Sequence, residues 1–106
     1  MVYKVIITDL ASADLEDHFH IISSDSESHA KNWLSEALEK IASLSEYPLR
    51  NMISPESSEV GAELRDLLHY SHRIFYQVDD VAGTVTVVRV WHSARRNLAE
   101  KDIKSE

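Results

Sequence analysis

Near the end of the sequence Arg73, Trp91, His92, Arg95 and Arg96 are the side chains able to do chemistry. A guanidinium grips a phosphate or a carboxylate through paired hydrogen bonds, and a histidine of ordinary pKa, near ~6.5, exchanges a proton at neutral pH. Together with Arg89, the arginines form a local basic spot. Arg73, His92 and Arg95 make one candidate set, suited to a reaction at a phosphate. Trp91, Arg95 and Arg96 make another, with the aromatic-plus-arginine composition of protein-interface anchors. Plainer roles stand beside these. Arg73 could pair with Asp79 or Glu63 on a sheet face, His92 could be a hydrogen-bonded surface histidine, and Trp33, Trp91 and Tyr76 could be packing.

The charge balance narrows the choice. Of the 106 residues, 1–61 carry four basic and eleven acidic side chains (4 − 11 = −7), and 62–106 carry seven of each, so the net charge of −7 sits in the front half. Broad binding to nucleic acid needs clustered Lys and Arg, which this distribution denies. Direct DNA binding by the chain alone is not expected. Six histidines raise the question of a metal. His18 and His20, two apart on a predicted helix, diverge, and the others lack a Cys or carboxylate at ligand spacing, so neither metal nor cofactor is expected. No apolar run approaches the ~20 residues of a membrane span. The opening residues lack the apolar core of a signal peptide, which points to the cytoplasm.

The elements that must position these residues are legible in order. Residues 2–8 read as a strand. Ser12 reads as a helix N-cap, with Leu15, Phe19 and Ile22 as the buried stripe. Ser24 and Glu27 stand at capping-box spacing before a second helix, whose Ala30, Trp33, Leu34, Ala37, Leu38, Ile41 and Leu44 share a face until Tyr47 and Pro48 stop it. Residues 49–61 read as a loop. Residues 62–68, 73–79 and 84–92, separated by turns at Tyr70-Ser71 and from Asp79 to Gly83, read as an antiparallel meander. Its middle strand sends Ile74, Tyr76 and Val78 to one face and Arg73, Phe75, Gln77 and Asp79 to the other. The last strand, apolar at Val85, Val87, Val88, Val90 and Trp91, must be covered on both sides. The expected architecture is one two-layer α+β domain over residues 1–106, ordered β-α-α-β-β-β, with the helical hairpin on one sheet face. The other face is expected to be open, showing Arg73, Gln77 and His92 or Arg95. The tail, about 99–106, is expected to fray unless Leu98 and Ile103 dock it.

Leu44-Ser-Glu-Tyr-Pro48, Glu63-Leu-Arg65, His72-Arg-Ile-Phe-Tyr-Gln-Val78 and Arg89-Val-Trp-His-Ser-Ala-Arg-Arg96 stand in an order that resembles the RelE/ParE superfamily of toxins from bacterial type II toxin–antitoxin (plasmid-stabilisation) modules. The resemblance spans nearly the whole chain and implies growth arrest neutralised by a cognate antitoxin. Two activities follow from it. RelE-like toxins cut messenger RNA on the ribosome, which would make Arg73 and Arg95 phosphate ligands and His92 the acid or base. ParE-like toxins bind DNA gyrase without being enzymes, which would make Trp91, Arg95 and Arg96 the binding residues. Residues 49–62 hold Arg50 but none of the lysines that RelE places ahead of the meander, with Glu56 and Glu59 instead, so the ParE-like reading is favoured. A degenerate member that only binds antitoxin is the remaining alternative.

Overall fold

Thr84–His92 is the strand around which the sheet is assembled. The computed structural model describes residues 2–104. Its elements are β1 (Lys4–Ile7), α1 (Asp9–Ser23), α2 (Glu27–Ala42), α3 (Ser57–Val60), β2 (Arg65–His69), β3 (His72–Asp79), β4 (Thr84–His92) and α4 (Glu100–Ile103), with 3-10 turns at Ser43–Ser45 and Pro48–Arg50. Strands lie in the order β1-β4-β3-β2. β1 runs parallel to β4, while β2–β3 and β3–β4 are antiparallel. β4 is thus paired along both edges, as its run of apolar residues requires. No helix among the described residues is long and apolar enough to cross a membrane.

Both helix starts differ from the sequence reading. Thr8, in extended conformation, caps α1 by accepting from the Ala11 N–H at 3.1 Å, and Ser12 lies inside the helix. Ser26 caps α2 by accepting from the His29 N–H, whereas Ser24 closes the end of α1. Several hydroxyls stand close together here. The one that caps is the one whose backbone is still extended before the first turn. The hairpin buries Ala11, Leu15, Trp33, Ala37, Ile41 and Leu44 against Ile74, Tyr76, Val85, Val87 and Val90. Leu38, expected in the stripe, is 42% exposed. Tyr76 is packing, as expected; it is fully buried, and its hydroxyl donates to the Pro48 carbonyl at 2.6 Å.

A bulge in β4 decides which side chains reach which face. Phe75 pairs with Arg89 and Tyr76 with Val87, leaving Val88 without a partner. One extra residue on one strand shifts the alternation beyond it. Val85, Val87 and Val90 consequently face the helices, while Val88 and Trp91 join Val60, Leu64, Phe75 and Leu98 in a second core on the far side.

That second core corrects the expectation of an open face. Residues 49–61 form α3 as well as a loop, and an isolated bridge pairs Ile53 with Arg65. The segment folds back over the sheet and meets α4. Leu98 is fully buried and Ile103 packs on the same cluster, so the chain is docked through α4; the last two residues of the expected frayed tail lie outside the described range. Burying a leucine side chain contributes about 1.5–3 kcal/mol toward docking this segment.

Candidate functional site

Arg73, on β3, points into the second face and is held by two carboxylates. Its Nε and Nη2 donate to Asp66 at 3.1 and 3.0 Å, and Nη2 and Nη1 donate to Glu56, the former at 3.0 Å. The Ser54 hydroxyl also donates to Asp66. Glu56 is 7% exposed. Its hydrogen bonds from Arg73 hold its pKa below the usual carboxylate range. At Asp66, burial works upward, but the bonds from Arg73 and Ser54 outweigh it and the pKa is lowered. Both carboxylates in turn raise the pKa of Arg73. The expected partners Asp79 and Glu63 are otherwise engaged: Asp79 accepts from the Ala82 N–H in its turn, and Glu63 accepts from Arg65.

Across from Arg73, at the C-terminal end of β4, three guanidinium groups surround one indole. Arg89, Arg95 and Arg96 lie 4.9, 3.7 and 5.5 Å from the Trp91 ring centroid. Arg89 is spent on Asp14, to which it donates twice at 2.7 Å. Arg96 makes a matching fork onto Asp102, also at 2.7 Å, and holds that carboxyl down at about 2. Arg95 is exposed, and among the described residues no carboxylate pairs with it. It lies over the Trp91 ring, which holds the cation in place for an incoming anion. Trp91 itself is only 2% exposed, with its indole N–H donating to the Arg96 carbonyl at 2.8 Å. It is the platform under the arginines and not a surface anchor, because the bulge turns it into the second core.

On the helix side of the same strand ends the structure gathers histidines that the sequence scatters. His72 and His92 are paired across β3 and β4 with ring centroids 4.8 Å apart, and His18 of α1 lies 4.2 Å from His72. Trp33 packs against both His18 and His72. Burial, with the neighbouring His18 and His92, pushes His72 down to about 4. His18 and His69 are lowered too, each chiefly by burial. The His92 Nδ1 accepts from the Ala94 N–H at 2.9 Å. Among the described residues no three His, Asp or Glu side chains form a group able to hold a metal ion.

The candidate set Arg73, His92 and Arg95 is therefore not brought together. In the ladder Arg73 pairs with Trp91 and His72 with His92, and successive residues on a strand face opposite ways. His92 thus shares the helix side with His72, while Arg73 lies on the far side. Trp91, Arg95 and Arg96 do come together. Sequence reasoning missed His18 and His72, since α1 meets the strand ends only in three dimensions. The spacing from His72 to His92 across a hairpin was a signal that register could have exposed.

The four-stranded sheet with a helical hairpin on one face is the architecture expected of a RelE/ParE-type toxin. The chain is similar to the structure described as the chromosomal ParDE TA system from P. aeruginosa: TM-score 0.68, 15% identity, covering 86% of this chain and 96% of that one. It is also similar to the toxin–antitoxin complex RelBE2 from Mycobacterium tuberculosis: TM-score 0.63, 26% identity, covering 87% and 99%. Residues 5–97 match the ParE toxin of type II toxin–antitoxin system, parDE, and the chain belongs to that family. No curated protein matches it.

Proposed function

We propose that this toxin arrests growth by binding a protein target, DNA gyrase, without catalysis, and that a cognate antitoxin neutralises it. The observation that carries the reading is the contrast between two arginines. Arg73, which a ribonuclease would need on the scissile phosphate, is held by both Glu56 and Asp66, whereas Arg95 lies on Trp91 with no carboxylate partner among the described residues. A ribonuclease site would also need His92 beside Arg73, and the two face opposite sides of the sheet. The net charge of −7 opposes docking on ribosomal RNA in the same way. Gyrase as the target places the activity in the cytoplasm. The test is a supercoiling assay with purified chain: inhibition by the wild type, lost in a folded Arg95→Ala variant, supports the reading. Codon-specific cuts in translated messages with gyrase unaffected would replace it with the ribonuclease alternative.

The antitoxin fits the outer face of the hairpin. Ile7, Leu15, Phe19, Leu34 and Leu38 line a largely apolar groove of about 370 Å³ beside the edge strand β1. An amphipathic helix or an added strand would cover it. Co-expression with the product of the adjacent reading frame should yield a stable complex, and recovery of free chain alone would contradict this.

A further inference from the structure

Between α1 and the ends of β3 and β4 lies a cleft of about 180 Å³, lined among others by His18, His72, His92 and Arg95, with Asp14 and Asp17 beside them. His72 is 4% exposed, and its Nδ1 is buried without any hydrogen-bond partner. Buried polar atoms are nearly always satisfied, so the orphaned nitrogens of His72 and of His69 behind it leave the cluster with room for a proton. Arg95 brings to the same cleft a cation with no carboxylate at ion-pair distance among the described residues. Asp14 does not neutralise it, because Arg89 and the Val90 N–H already occupy that carboxylate. With its Nδ1 accepting from Ala94, a neutral His92 carries its proton on Nε2 and can donate to an anion. We propose that this cleft receives one carboxylate side chain of a protein partner, gripped by Arg95 and His92, and that the histidine cluster takes up a proton as the carboxylate enters.

A single carboxylate is the occupant that the surroundings admit. The exposed Asp17 at the rim and the acidic front half of the chain repel a polyanion, while one carboxylate can fork onto Arg95. The other titratable groups around the cluster are His69, packed behind Trp33, with Lys40 and Glu36 beyond it, and Arg89 tied to Asp14. Empty, the cleft holds His18 and His72 below their ordinary values. An anion reverses that penalty, so binding is linked to proton uptake and strengthens as pH falls.

The inference rests on the reading of Arg95 as the target contact, yet its test needs no gyrase, so the two can fail separately. The full chain, labelled for NMR, is titrated with a capped Gly-Glu-Gly peptide, with capped Gly-Gln-Gly and inorganic phosphate as comparison probes, while the imidazole resonances of His18, His72 and His92 are followed. The glutamate peptide should shift all three, and bind about tenfold more tightly at about pH 5.5 than at about pH 7.5. Arg95→Ala should weaken it by about tenfold and His18→Gln should reduce the pH dependence, both with unchanged backbone spectra. Equal binding of the glutamine peptide, no histidine shift, or a pH-independent affinity would overturn the proposal. Phosphate binding more tightly than the glutamate peptide would overturn the assignment of a protein carboxylate.

Discussion

Two arginines at one end of the sheet, one on β3 and one just past β4, show how differently the same side chain can be used. Arg73 donates four hydrogen bonds to Glu56 and Asp66, and Ser54 adds one more to Asp66. Arg95 follows β4, lies over the Trp91 ring and is exposed, with no carboxylate at ion-pair distance among the described residues. What separates them is the covering of the far face: the 49–61 segment brings Glu56 onto Arg73, and α4 brings Asp102 onto Arg96, but neither reaches Arg95. A cation that the fold consumes holds structure together, and one that the fold leaves over is available for a partner.

The largest effect should come from breaking the consumed arginine. Arg73→Ala leaves two carboxylates, one of them buried, without their cation, and removal of one partner from a buried pair costs about 3–5 kcal/mol. Urea denaturation should show that loss. An unchanged midpoint would mean the network is ornamental and Arg73 is free to act elsewhere.

Acidification should expose the histidine side of the comparison. His72 binds its proton at about 4 in the folded chain and near 6.5 when unfolded, so the unfolded state holds more protons between those values and stability falls as pH drops through them. From pH 7 to 5 that amounts to about 2 kcal/mol, with His18 and His69 adding in the same direction. Denaturation curves at the two pH values measure it. A stability that rises on acidification would contradict the burial of these imidazoles.

The smallest effect belongs to the free arginine. Arg95→Ala removes an exposed cation–π contact, about 0.5–1 kcal/mol, with no carboxylate left stranded. A loss as large as that of Arg73→Ala would erase the distinction between the two residues.

The elements were largely legible in the sequence, because their signals are local. The alternation in residues 73–79, the doubly covered apolar run in 84–92 and the stripe from Ala30 to Leu44 survive in the structure with shifts of a residue or two. What the sequence hid depends on a single extra residue. Val88 has no partner, and this turns Trp91 inward and separates His92 from Arg73, which no count of alternation along β4 alone could show. The covering of the far face was hidden for a related reason. Pro55 and the serines around it suggest a bare loop, and only Val60 and Leu64 meeting Leu98 reveals a core there. Arg96 and Asp102 are six apart in sequence, so their pair was available to reading, whereas Glu56 with Arg73 was not.

The central claim is that the free arginine, and not the bound one, makes the functional contact. Calorimetric titration of the purified chain into DNA gyrase tests it most directly, with Arg95→Ala set beside Arg73→Lys, which keeps the charge on the network. The account predicts binding weakened about tenfold or more by Arg95→Ala and nearly unchanged by Arg73→Lys. Wild-type affinity in folded Arg95→Ala, or no heat of binding from the wild type at all, would contradict it.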